Sequence, residues 1–336
     1  MVMESFGLDA VVGRAPKKKR EKLFADKYEY FKNGYVDYEM ANGLIQFEVE
    51  KTAEDFEMIK EANEATNEYR RKYRPDVFDV TAKNIRMIDQ KKIGRDYLKH
   101  EGQIAFFTVM GQGAYAVKWE KMIKNLEGII HELLHFKAHN KIKFEKDNPR
   151  SLLSVFSGDK ASKYRNGISF MEKGQKKPSF TNMNEAVTER IATKIVWQKM
   201  KHLLDPEEVE ILKRVAEKAG LWVESFYTVD VEKFRSDQPE LDDVTYGDQM
   251  QMYKYLLMKM SEKTHESIED LETLFEEAYF TGRLHKLAGK IDYCFGDGTF
   301  SKIASVDRDT VNFTELARFM VNLEIKKDPV TEESGS

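Results

Sequence analysis

His131-Glu132-Leu133-Leu134-His135 places two imidazoles four residues apart with a carboxylate between them. On a helix, residues four apart share one face, so both rings can reach a single ion. Two histidines suit zinc, which takes nitrogen and oxygen donors in a tetrahedral shell. Glu132 projects beside them, in place to take a proton from a water that such an ion activates. The chain has only 7 His in 336 residues, and three fall between positions 131 and 139. One helix cannot wrap three successive ligands at this spacing around one tetrahedral ion. His139 and Asn140 therefore read as the polar end of the helix, with Asn140 as its C-terminal cap.

The elements that must position this chemistry are visible in the spacing of apolar residues. Met122, Ile123, Leu126, Ile129, Ile130, Leu133 and Leu134 recur at three and four residues, which predicts a helix with a buried stripe. A helix this apolar belongs in the interior, where a glutamate and two histidines need partners that a metal would supply.

A catalytic zinc takes three protein ligands and keeps one position open. The next informative stretch is Asn182-Met183-Asn184-Glu185-Ala186-Val187-Thr188-Glu189. Ala186, Val187, Ile191, Ile195 and Val196 again follow helical spacing, and Asn182 or Asn184 would cap the start. Glu185 and Glu189 are four apart and share a face. One can bind the metal while the other supports a ligand from behind.

His131-Glu132-x-x-His135 followed by Asn184-Glu185-Ala186-Val187-Thr188-Glu189 resembles the gluzincins, the thermolysin-like zinc metallopeptidases. In that family a second helix carries an N-E-x-x-x-(D/E) pattern whose first carboxylate binds zinc and whose second hydrogen-bonds a zinc-binding histidine. The resemblance implies zinc on His131, His135 and Glu185, with Glu189 supporting His131 and Glu132 as general base. It covers about residues 85–200. Two departures stand out: about fifty residues separate His135 from Glu185, and the supporting position is Glu rather than Asp. A second similarity is to the cytoplasmic peptidases that cleave phage and stress-response repressors, which also pair H-E-x-x-H with a later glutamate. The resemblance implies an α+β fold: a zincin-like lobe with a small mixed sheet and active-site helices, then a mainly helical lobe.

Around the motifs, residues 85–89, 103–110 and 114–119 read as strands, with a turn at Gly111-Gln112-Gly113. A sheet just before the metal helix suits a peptidase, because an extended substrate can add to a sheet edge. Residues 151–156, 163–170 and 178–181 read as extended, with bends at Gly167 and Gly174. Tyr164 and Arg165 either face a substrate or stand on a surface hairpin. Peptide hydrolysis builds negative charge on the carbonyl oxygen, and a Tyr or His donor would stabilise it. Tyr246 is the first candidate and His265 the second.

Composition bounds the remainder. Hydrophobic content of 41% with 12% aromatics supports a sizeable core, and a net charge of −4 argues against a general nucleic-acid binder. No apolar run approaches membrane-spanning length, and the start lacks a signal-peptide pattern. The single Cys294 reads as packing and points to a cytoplasmic protein. Pro16 to Lys22 is a short basic run that reads as a mobile tail. Residues 52–73 read as a charged helix with Phe56, Ile59, Tyr69 and Tyr73 buried. Asp205-Pro206 opens a helix, and further helices are expected near 251–263, 267–280 and 313–324. The expected organisation is a basic tail over 1–26, the metallopeptidase lobe over 27–201, a helical lobe closing the cleft over 202–328, and a disordered end over 329–336. The expected function is zinc-dependent hydrolysis of a peptide or protein substrate, with no nucleic-acid or membrane partner. The rival readings are a narrow-specificity regulatory peptidase of the repressor-cleaving type and an inactive zincin-fold protein that captures peptides. The sequence sets no oligomeric state.

Overall fold

A computed structural model of the chain describes residues 6–34, 44–89, 91–92, 105–108, 112–145, 160–171, 175, 177–210, 213, 247–309 and 313–324. Strand β1 (Ala10–Val12) leads to helix α1 (Lys17–Asn33), then α2 (Ala53–Arg71), β2 (Ile85–Asp89), β3 (Ala105–Thr108) and β4 (Gly113–Lys118). Helix α3 (Met122–Lys137) carries the histidine motif. It is followed by β5 (Asn140–Glu145), β6 (Lys160–Asn166), β7 (Ser169–Phe170) and α4 (Thr181–Ile195). The chain continues with α5 (Gly247–Thr264), α6 (Ile268–Thr281), α7 (Leu284–Phe295), α8 (Thr299–Asp309) and α9 (Phe313–Val321). The fold is α+β. Among the described residues no helix is long and apolar enough to cross a membrane.

Two small sheets flank α3. In one, the strand order is β2-β4-β3, with β2 parallel and β3 antiparallel to β4. In the other, the order is β1-β5-β6-β7, with β1 parallel to β5 and the remaining pairs antiparallel. Helix α3 packs against α2, α4, β3 and β4. Its Leu126, Ile129, Ile130, Leu133, Leu134 and Phe136 have no solvent exposure. Truncating one such leucine to alanine costs about 2–5 kcal/mol, since the surroundings only partly collapse. The site's helix is therefore fixed by the core itself.

Several expectations need correcting. The first 26 residues do not read as a mobile tail where they are described. Phe6 and Leu8 are buried with Ile142, and β1 pairs with β5. The basic run forms the exposed first turns of α1, while Leu23, Phe24, Tyr28 and Phe31 on the same helix pack inward. From Gly247 to Val321 the described elements are all helices, and they share a core with the helices before them. Leu256, Phe275, Tyr279 and Leu316 belong to the same apolar cluster as Leu126 and Ile129. Phe56 is 52% exposed. The buried stripe of α2 runs through Asp55, Ile59, Ala62, Thr66, Tyr69 and Arg70, and Phe56 falls outside it. Thr52 caps α2 reciprocally with Asp55.

Candidate metal centre

Both site helices start without a side-chain cap from their own first residues. Asn182 and Asn184, expected as caps, lie inside α4, whose N-cap is Phe180 in the left-handed region at φ 58°. The cap comes from elsewhere. Asp307 on α8 accepts the backbone N–H of Asn182 at 3.2 Å and its side-chain amide at 2.7 Å. For α3, the Glu208 carboxylate accepts the N–H of Ile123 at 3.0 Å. A carboxylate at a helix N-terminus meets unpaired N–H groups and the positive end of the dipole. Burial raises the Asp307 carboxyl to about 6, with the bonds from Asn182 acting against it.

The other end of α3 is held by amides. Asn140 Nδ2 donates to the carbonyls of His135 and Phe136 at 2.9 and 3.0 Å. Asn166 Nδ2 donates to the same His135 carbonyl and bonds Asn140 Oδ1. Lys137, without solvent exposure, donates to Asn63 O, Asn63 Oδ1 and Thr66 Oγ1 of α2 at 2.7–2.8 Å. Desolvation, then the nearby Arg70 charge, pushes its pKa well below the usual lysine value. Gly167 turns the chain from β6 to β7 at φ 59°, where a Cβ would sit 2.4 Å from Asn184 Oδ1. Asn184 Oδ1 in turn accepts the N–H of Ile168. The β6–β7 turn is thus latched to the residue before Glu185.

These supports bring three donors together. His131 Nε2 lies 3.0 Å from His135 Nε2 and 3.0 Å from Glu185 Oε2, and His135 Nε2 lies 3.1 Å from that same oxygen. Zinc bonds of about 2.0–2.1 Å at tetrahedral angles separate neighbouring donors by about 3.3 Å. The observed triangle therefore fits a zinc ion with little movement. Behind it, His131 Nδ1 lies 2.8 Å from Glu189 Oε2, and Glu189 is fully buried. A carboxylate there accepts a hydrogen bond from Nδ1–H, which favours the tautomer whose Nε2 lone pair faces the ligand position. Two imidazole nitrogens and a carboxylate oxygen converging on one point form a donor set that could hold a cation. His131, His135 and Glu185 are the His, Asp or Glu group among the described residues with this metal-holding spacing.

The electrostatics follow from burial and close contact. Burial opposes charging of His131, but its bonds to Glu185 and Glu189 raise its pKa well above the usual histidine value. Burial lowers His135. Burial acts to raise Glu185, and the two histidines overcome it, holding that carboxyl well below its ordinary range. Glu132 is buried, and desolvation raises it to about 8, against the pull of His131. Its Oε2 has no hydrogen-bond partner among the described residues. A cation in the triad would draw the Glu132 proton off by adding positive charge beside it.

Sequence reasoning did not find Glu127, Lys163, Glu208 or Asp307. Glu127 stands one turn before His131 on the same helix and lies against Glu189. Burial, then that neighbouring carboxylate, raise Glu127 well above the usual range. Its spacing of four from His131 was a readable signal. His139 sits 3.3 Å from Asp9, away from the triad's bonds. Arg165 donates to the Gly282 carbonyl at 2.7 Å, so it ties β6 to the end of α6. His265 is exposed at the end of α5. Tyr246 lies outside the described residues. Comparisons with protein-family models, with curated proteins and with solved structures find no match.

Proposed function

We propose that the chain is a zinc-dependent metallopeptidase, with α3, α4 and the β2-β4-β3 sheet as a zincin-like lobe. The observation that carries this reading is the convergence of His131 Nε2, His135 Nε2 and Glu185 Oε2 within 3.0–3.1 Å, with Glu132 beside them. His131, His135 and Glu185 would hold the ion, and Glu189 would fix the His131 tautomer. When bound, zinc supplies Lewis acidity toward a water and a carbonyl oxygen.

The chain's own residues supply the rest. Glu132 takes the proton of the attacking water and later gives it to the leaving amine, so its pKa must sit near the working pH. Burial acts to raise it, and the charge of a bound ion would act to lower it. A protein that only captured peptides would have no use for a buried carboxylate oxygen that finds no hydrogen-bond partner among the described residues, because burying it costs desolvation free energy. The test is Glu132→Gln on zinc-loaded protein with a quenched casein substrate. Zinc content should stay at wild-type level while hydrolysis falls about 100-fold or more. Hydrolysis at the wild-type rate in that variant would remove the mechanism.

A further inference from the structure

Attack on a carbonyl places negative charge on its oxygen, and a fixed positive group near Glu132 would stabilise it. The sheet face turned toward α3 carries one. β6 pairs with β5 from Lys160↔Glu145 to Asn166↔Asn140, but the register slips between Arg165↔Lys141 and Lys163↔Ile142. Tyr164 is the extra residue. Residues directly opposite in a ladder share a face, and successive residues alternate. Asn140 and Asn166 both point to α3, where they bond the His135 carbonyl. In a regular ladder Tyr164 would share their face and Lys163 would turn away. The bulge re-aims Lys163 to the α3 side, opposite the buried Ile142.

The ammonium of Lys163 interacts electrostatically with Glu132, His135 and Glu185. Among the described residues it makes no hydrogen bond, and its side chain is solvent-exposed. Desolvation lowers its pKa, while the Glu185 and Glu132 carboxylates act to raise it. Tyr279 also interacts with both Glu132 and Glu185, but it has no solvent exposure and bonds Thr188 at 3.1 Å, out of a substrate's reach.

We infer that Lys163 is a catalytic residue that donates a hydrogen bond to the substrate carbonyl oxygen as it becomes an oxyanion. The inference rests on the peptidase reading. The water oxygen bonds to the carbonyl carbon, the π pair moves onto the carbonyl oxygen facing Lys163, and the water proton goes to Glu132. The pair then returns, the C–N bond breaks, and the nitrogen takes the proton from Glu132. Lys163 keeps its own protons throughout.

The test uses zinc-loaded full-length Lys163→Met and Lys163→Arg proteins. Steady-state kinetics on a quenched peptide are paired with calorimetric titration of a peptidyl phosphonate, a tetrahedral anion. Lys163→Met should keep its zinc and its KM within twofold, lose about 100-fold in kcat, and bind the phosphonate at least 10-fold more weakly. Lys163→Arg should recover part of both. Unchanged kcat, or a raised KM with kcat intact, would overturn the role and leave the peptidase reading standing. A wild type that binds zinc but cleaves no peptide would sink the peptidase reading, and with it the catalytic role. The phosphonate titration then separates the two failures: weaker binding by Lys163→Met would still support an anion-stabilising lysine, and equal binding would overturn that too.

Discussion

Replacing Glu189 by glutamine isolates the contribution of the carboxylate behind the candidate ligands. Glu189 Oε2 lies 2.8 Å from His131 Nδ1, and the side chain is 1% exposed. The substitution keeps shape and volume but removes the charge. The amide can also present its N–H to Nδ1, which favours the tautomer whose proton sits on Nε2, where the metal must bind. A hydrogen bond to a charged group is worth about 1.5–3 kcal/mol. At about 1.4 kcal/mol per tenfold, that is a loss of about 10- to 150-fold in zinc affinity. The range agrees with the usual effect of removing such a supporting carboxylate. Competition against a chromophoric zinc chelator at pH 7.5 measures it directly. Affinity within twofold of wild type would refute the reasoning, because Glu189 would then not be orienting His131.

Three other perturbations test separate parts of the structure. Gly167→Ala puts a Cβ 2.4 Å from Asn184 Oδ1 and 2.6 Å from the Tyr279 ring at a positive φ; it should cost about 2 kcal/mol or more in urea unfolding, and a neutral result would mean the turn is not latched to α4. Asp9→Asn should cost about 2 kcal/mol at pH 7: burial acts to raise Asp9, but His139 and then Arg74 hold it at about 2 against 3.8. A depressed carboxyl pKa stabilises the fold above 3.8 and that contribution is lost as pH falls through 2, so wild type and variant should converge in acid unfolding near pH 2. A gap that persists there would mean the effect is packing rather than charge. Asp307→Ala should lower unfolding free energy by about 1 kcal/mol through loss of the α4 cap, and circular dichroism melts that superimpose would deny the cap.

Local spacing made the chemistry readable and long-range contacts hid its supports. The His131–His135 spacing and the apolar stripe of α3 are set by 3.6-residue periodicity, which a sequence displays. The caps are not local: Glu208 is 85 residues from Ile123 and Asp307 is 125 from Asn182. No short window could reveal them, so the nearby Asn182 and Asn184 looked like caps. The N-terminal segment misled for a related reason. Its basic side chains are real surface charge, but the order of β1 comes from pairing with β5, which the run itself does not encode. Arg70 and Lys137 in the core also run against the usual placement of charge. Lys137 is accommodated because three oxygens of α2 complete its ammonium. Lys163 was hidden by a one-residue bulge, since plain alternation points it away from α3.

The most direct test of the metal centre is zinc stoichiometry and thermal unfolding of wild type beside Glu185→Ala, each with and without chelator. Wild type should hold one zinc per chain. At zinc about 1,000-fold above Kd the ion should stabilise it by about 4 kcal/mol. Glu185→Ala should lose most of that stabilisation. Wild type without zinc, melting identically with and without chelator, would contradict the assignment of His131, His135 and Glu185 as metal ligands.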